Sequence, residues 1–527
     1  MIVGAPSRGV ARILDVLGAL AVVAGVVVAA TGGTTFRGIL LTRPEAFVVA
    51  ATALFGLRAL LRPYPLPARA PARVVAVAVL VYVAAMGFIV VTRHWMLRTH
   101  ALDLGQYVQT VWAIAHGHGA VFTLIPEYVT TVKMHAWGDH FSPILYTLVP
   151  FIRLVPDTAV ALLFQAAVLA LGAVAVYRYA RGRVAPAAAA ALAVVCLLNP
   201  SLHGINLRDI HPAAFVIPLS IAAAAAHDAR RFGWCALAVI GVAACREDAA
   251  VAVVGFGIWL ALARRRWVAG PLVAVAAVAL LLLDLQVIMP YFRGGAEYHH
   301  LYRYTHLGGS LTEILVSVAV KPWRWLGVVL TGPKLVYMLA MLAPLGFLPL
   351  LAPRVLAAAL PGLAMNLLSV DPILINHRSQ YQSFVLPFLV LAAVEGYAVL
   401  RARSGEWSRA PATALGVAVC LALILTSRTF NDFSVEKWRP GEEQRAAHRL
   451  MARVPGDTGV SANERLVPHL ALREHVFVFP RGLGISAHVI ERADVLARVP
   501  APGYVERERA GGWVLLERQP SATSRPR

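Results

Sequence analysis

The chain has 527 residues, 59% of them hydrophobic and only 14% charged, with a mean hydropathy of +0.67. A soluble domain is about 45–50% apolar and about 25% charged, and the apolar residues here fall in long charge-free blocks, so a string of water-soluble domains is excluded. The 48 Lys+Arg against 28 Asp+Glu give +20, but the arginines cluster between apolar blocks and no basic stripe interleaves with aromatics, which argues against a nucleic-acid partner.

A membrane-crossing helix needs ~20 largely apolar residues, with ~17 as the lower limit. In chain order the candidate spans are 13–30, 46–61, 74–91, 158–177, 185–199, 213–226, 233–246, 249–263, 267–290, 335–351, 355–370, 384–400 and 413–427. Several are short, so about 11–13 helices are expected. The first run follows two arginines and could pass for a signal peptide, but so many further spans make it a retained anchor.

Orientation follows from basic residues in the links. Arg8 and Arg12 precede the first span. Arg62, Arg69 and Arg73 flank the link after the second, and Arg178, Arg181 and Arg183 follow the fourth. Arg230 and Arg231 follow the sixth, Arg264 to Arg266 the eighth, Arg354 the tenth, and Arg401, Arg403 and Arg409 the twelfth. Every second link is basic, and these links are expected to be cytoplasmic. The other links hold most of the His, Asp, Tyr and Trp of the membrane portion, so polar chemistry is expected on the outer side.

Two segments are ambiguous. Ser142–Pro156 is apolar but short and broken by Pro, which suits a re-entrant or interfacial helix. Residues 314–331 carry Lys321, Trp323, Arg324 and Trp325, an interfacial signature. From about 428 charges become frequent, and alternating runs at 459–462, 476–479 and 512–516 read as strands. The chain therefore divides into a three-span region 1–91, an outer loop with amphipathic helices 92–157, a transmembrane core 158–427, a small extracytoplasmic α/β domain 428–517, and a disordered tail 518–527. Cys196, Cys235, Cys245 and Cys420 lie in apolar blocks without CxxC or His spacing, and read as packing residues.

Five polar clusters lie in the outer links. Asp103, followed by Gln106, Tyr107, Trp112 and His116 at helical spacing, is either a base beside a lipid substrate or a solvated helix cap. Asp139-His140 precede the broken helix. Asp209-Ile210-His211 lie at the mouth of the sixth span. Arg246-Glu247-Asp248 sit between two spans with almost no loop; three charges there cost ~2.5–3.5 kcal/mol each in lipid, so they must face protein, water or a ligand, or pair internally as Arg246 with Glu247. His377 and Arg378, with Tyr381 close behind, suit an anionic group such as a phosphate. No zinc spacing is present and no metal ligand is assigned, although a divalent cation between carboxylates remains an alternative. Asp284 and Glu395 are solitary acids inside spans, and they support a competing reading as a lipid or solute transporter with an ion relay.

Asp103-Leu104-Gly105-Gln106-Tyr107 with Trp112, Asp139-His140-Phe141-Ser142-Pro143, Asp209-Ile210-His211-Pro212, Arg246-Glu247-Asp248-Ala249 and Pro468-His469-Leu470, in this order, resemble the predicted bacterial membrane proteins of domain-of-unknown-function family 2079. That family is similar in layout to the GT-C glycosyltransferases. The resemblance implies an all-α polytopic fold in a bacterial plasma membrane and inverting hexosyl or pentosyl transfer. The donor would be a polyprenyl-phosphate sugar, and a glycan, lipid or protein the acceptor. It implies Asp103 as catalytic base with Glu247 as the alternative. Gln106, Tyr107, Asp139, His140, Asp209, His211, Arg246, Asp248, His377, Arg378 and Tyr381 would contact substrate. Two departures are visible: three spans precede the large outer loop, and Asp103 stands alone where many GT-C enzymes carry an acidic pair.

Overall fold

The computed structural model describes residues 8–36, 39–62, 70–124, 133–295, 299–405 and 408–519. Arg69 and the last eight residues of the expected tail lie outside these. All thirteen apolar segments are helical at their centres. Helices α1 (Arg8–Thr31), α2 (Pro44–Leu61) and α3 (Pro71–Trp95) come first. Proline falls in the first turn of α2 and α3, where its missing N–H costs nothing. Six described helices have the length and apolarity to cross a membrane: the three just named, Ala159–Ala180, Ala269–Arg293 and Ala410–Phe433. Two further pairs are bent spans or re-entrant loops, Pro186–Leu197 with Pro200–Asn206 at 47° and Pro322–Val329 with Gly332–Leu345 at 67°. Pro143–Leu154 is a short apolar helix, and the 314–331 stretch breaks at Lys321-Pro322 into two helices.

The basic links meet at one end of the bundle. Glu395 accepts hydrogen bonds from Tyr179 Oη (2.8 Å), Arg183 Nε (2.7 Å) and Arg264 Nη2 (2.9 Å), while Arg264 also grips Asp228 through Nε and Nη2, both at 2.8 Å. Three separate links are thereby tied to the Leu386–Arg403 helix. Glu395 is solitary only in the sequence; in the fold it is the hub of an ion-pair network. Asp284 differs. It starts a π-helical turn, is 1% exposed, and its Oδ1 has no hydrogen-bond partner.

At the opposite end lie the first large loop and the C-terminal region. A ten-residue helix, α4 (Gln106–Ala115), follows a π-turn at Ala101–Gly105. The C-terminal region folds a five-stranded sheet in the order 476–478, 460–462, 488–492, 513–518, 504–510. The first three strands are parallel and the last two antiparallel. Thr123 ties the first loop to this sheet: its hydroxyl donates to Val476 O (2.8 Å) and accepts from Val476 N (3.0 Å). Gln109 Nε2 reaches Arg473 O and Glu474 O, and Thr158 Oγ1 reaches Pro468 O (2.8 Å). The C-terminal region is thus fastened to the first loop and to α4.

Candidate active site

Asp103 stands in the π-turn that leads into α4, and its carboxylate is 45% exposed. His211, 3% exposed, brings Nε2 to 3.3 Å from Asp103 Oδ1. The 209–211 loop is fixed by a residue inside an apolar helix. Gln165 donates to Asp209 O (2.7 Å) and accepts from His211 N (2.8 Å). Asp209 adopts a left-handed conformation (φ 63°), unusual for a non-glycine residue, and its carboxylate accepts from His100 N (3.0 Å) and faces His100 Nδ1 (3.2 Å). Asp209 is only 4% exposed and holds His100 through both of these contacts. Burial works to raise the pKa of Asp103, but His211, His100 and Arg208 outweigh it and hold the carboxyl below its usual range. Asp103 is an anion at neutral pH, open on one side.

A second half of the site is built on the other flank of α4. Gln106 Nε2 donates to Asp139 Oδ2 (2.7 Å). His140 Nδ1 bonds Glu247 Oε1 (2.8 Å), and Phe141 N donates to Glu247 Oε2 (3.2 Å). Glu247 is enclosed, with none of its side chain exposed, so it stands behind His140. The expected internal pair is different from the one formed: Arg246 makes a bidentate contact with Asp248 (2.7 and 2.5 Å) and Glu247 turns to His140. Adjacent residues in a tight turn point in different directions, so sequence neighbours need not be partners. The Arg246 guanidinium lies over Tyr381 and Arg303 lies over the same ring (5.5 and 4.9 Å to the centroid), with Arg303 Nε bonded to Asp371 (3.2 Å). Tyr107 joins the two halves: it is buried, within electrostatic reach of Arg246, Asp139, Asp103 and Glu247, and its ring meets His211 edge-on at 6.4 Å.

Asp139, His140 and His300 can each turn one ligand atom into a space where all lie within 4.8 Å of one another, a group able to hold a metal ion. The His140 and His300 rings stack at 5.0 Å and 5°. With Glu247 on its Nδ1, His140 would present Nε2, the orientation that carboxylate-backed histidine ligands adopt.

The fifth cluster lies on the Asp103 side. Arg378 Nη2 donates to Thr429 Oγ1 (3.1 Å), and its backbone passes so close to Gly204 that a Cβ there would sit 2.3 Å from Arg378 Cβ. Burial lowers the Arg378 pKa, and Arg428, Arg208 and Arg93 add to this against Asp432. Burial and the Arg378 charge likewise hold His377 below its usual pKa, so it is neutral at pH 7. The Arg208 charge acts on both Asp103 and Arg378.

Sequence reasoning passed over Gln165, His100, His300, Arg303 and the arginines at 93, 98 and 428. Gln165 had a usable signal, a lone amide in an apolar span. Arg93 and Arg98 read as flanking charges of a helix, and His300 lies in a link with no other motif.

The fold and site define a polytopic helical membrane protein with the Asp103, His140 and Arg246 clusters gathered at the end that carries the first loop and the small sheet. The predicted membrane protein family DUF2079 matches residues 93–519, and the chain belongs to that family. No curated protein matches it. Crystal structures of ArnT from Cupriavidus metallidurans are similar at 14% identity and a TM-score of 0.49. The one bound to undecaprenyl phosphate covers 85% of this chain and 99% of its own, and the apo state 84% and 97%. The Archaeoglobus fulgidus oligosaccharyltransferase tethered with an acceptor peptide containing the NVT sequon is similar at 12% identity and a TM-score of 0.42, over 85% of this chain and 74% of that one.

Proposed function

We propose that this protein transfers a hexose or pentose from a polyprenyl-phosphate carrier to a glycan, lipid or protein acceptor at the outer face of a bacterial plasma membrane. One observation carries the reading: Asp103, an accessible carboxylate, is held by His211 at 3.3 Å, and the charge of Arg208 acts both on it and on Arg378. Asp103 accepts the acceptor hydroxyl's proton as its oxygen attacks the anomeric carbon. The bond from that carbon to the phosphate oxygen breaks, and the electron pair leaves on the phosphate. Arg208 and Arg378 meet the charge that develops there. A single displacement inverts the anomeric centre.

His211 orients Asp103, and Gln106, Tyr107, Asp139, His140, Arg246, Asp248 and Tyr381 line the sugar and acceptor space. Asp139, His140 and His300 would hold a divalent cation if one binds, and a bound cation would polarise oxygens of the substrate. Glu247 serves by orienting His140. The test uses purified protein in liposomes with a polyprenyl-phosphate sugar carrying labelled sugar. Label should move to an acceptor fraction with wild type and not with Asp103→Asn. Wild-type flux of the whole lipid across the bilayer, without transfer, would favour the transporter reading instead.

A further inference from the structure

Two helices that precede the family match complete a groove outside the Asp103 site. Helices α1 and α2 pack on each other through Gly25, where an added Cβ would lie 3.0 Å from Phe47 Cβ. Helix α2 meets the Ala410–Thr426 helix at Gly56, where a Cβ would lie 2.9 Å from Cys420 Sγ. Between these contacts the three helices leave an apolar groove of about 1080 Å³, lined among others by Ala21, Phe47, Ala51, Phe55, Cys420 and Phe430. The groove follows α1 from Ala21 to Ala30 and the last helix from Ala412 to Leu423, so it runs along the bundle rather than across it.

Its outer end is not apolar throughout. Phe430 and Phe433 line it from the 427–433 turn, and Phe88 stacks on Phe433 at 6.0 Å. In that same turn Asp432 and Thr429 face arginines, whereas Asn431 Nδ2 donates to Glu45 of α2 (2.7 Å). Asp432 contacts Arg98 (3.1 Å) and Arg93 (3.9 Å), and Thr429 accepts from Arg378. Arg428 adds a further charge. Arg98 Nη1 is buried and has no hydrogen-bond partner. Arg93 and Arg98 thus share Asp432 and Arg378 is held by Thr429 of the same turn, while the acids nearby are Asp432 itself, Glu45 on Asn431 and, within reach of Arg93, Asp209. Cationic excess at the head of an apolar groove matches an anionic head on a long apolar chain.

We propose that this groove, completed by α1 and α2, seats the isoprenoid tail of a polyprenyl phosphate, with its phosphate on Arg98, Arg378 and Arg428. The naming of the lipid rests on the proposed glycosyl transfer. Arg378, held by Thr429 of this turn, is also the residue that the proposed transfer sets on the leaving phosphate, so the two sites meet at its guanidinium. A two-chain phospholipid would find the same groove but would place a bulkier head against the Thr429 and Asp432 turn.

The test is photolabelling of the full-length protein in nanodiscs with a polyprenyl phosphate bearing a diazirine on its chain, read by peptide mass spectrometry. Label is expected in 44–61 and 410–433, competed by unlabelled polyprenyl phosphate and not by phosphatidylglycerol. Ala51→Trp, which fills the groove, and Arg98→Ala, which leaves it open, should each lower labelling about tenfold or more. Ala51→Trp preparations are accepted only when they elute as wild type on size exclusion, and Arg98→Ala covers the case in which they do not. Equal competition by phosphatidylglycerol, or label confined to 332–368, would overturn the groove while leaving sugar transfer intact. Loss of transfer in Asp103→Asn with groove labelling unchanged would support both readings. Groove labelling without transfer by wild type would keep the groove and sink the enzyme.

Discussion

Glu247, fully enclosed, holds His140 through a 2.8 Å contact to Nδ1. Burial would lower the His140 pKa, but Glu247 and Asp139 more than reverse this and raise it. Burial would raise that of Glu247, but His140 and Arg246 hold it well below its ordinary value. A raised histidine stabilises the fold fully below its ordinary 6.5 and loses that contribution as pH climbs through its folded-state value. A depressed carboxylate stabilises above its ordinary 4.5 and loses the contribution as pH falls through its lower value. The pair is fully formed between these two pH values. Glu247→Gln should therefore cost about 3 kcal/mol inside that window and less at alkaline pH. Thermal melts of both proteins in detergent across pH measure this; a difference that does not narrow at alkaline pH refutes the pairing.

Asp103→Asn keeps size and hydrogen bonding but cannot accept a proton. Transfer should fall by about 10²–10⁴, with lipid binding unchanged. Full activity in Asp103→Asn would move the base elsewhere in the site while keeping the reaction class.

Gln165 acts at a distance. Gln165→Leu removes both bonds that fix the 209–211 loop and leaves a buried amide and carbonyl unpaired, at about 1–3 kcal/mol. The maximal rate should fall with little change in apparent donor affinity, because His211 no longer faces Asp103. A rise in KM alone would show that the loop binds donor rather than orienting the carboxylate.

A transition-metal ion should bind once per chain at Asp139, His140 and His300. Isothermal titration with Mn²⁺ or Zn²⁺ should detect it in wild type, and His300→Ala should weaken it about 10-fold or more. Equal binding by both proteins would remove His300 from the group.

The end where Arg183 and Arg264 meet Glu395 should face the cytoplasm. A cysteine at exposed Arg498 should react with an impermeant maleimide on intact cells, whereas one at exposed Arg181 should not. The opposite pattern would invert the bundle and place Asp103 inside the cell.

Apolar blocks were legible because lipid leaves a helix no choice but to satisfy its own backbone, and all thirteen became helices. The strands at 460–462, 476–478 and 513–518 were legible for the opposite reason, being short alternating runs in a polar stretch. His488–Arg492 and Tyr504–Ala510 were not, because their charged side chains hide the pattern, and Thr34–Phe36 with Ile39–Leu41 form a hairpin too short to announce itself. Five polar clusters stood out as charges where lipid should exclude them. Their partners did not, since Glu247 reaches His140 across 107 positions and Gln109 reaches Glu474 across 365. Sequence shows which polar residues must be accommodated; only the packed bundle shows by whom.

The bond pair between Thr123 and Val476 has one more consequence. Strand 476–478 ends the sheet, and an uncovered edge would invite any extended peptide to pair with it. Thr123 and Leu124 occupy that edge, the latter taking Val478 N at 3.1 Å. The far edge, Tyr504–Ala510, carries Glu506, Arg507, Glu508 and Arg509 in succession, with salt bridges of its own to Glu517 and within the strand. A polypeptide acceptor gains no backbone foothold on the first-loop side, so it would have to be chosen by the side chains around Asp103.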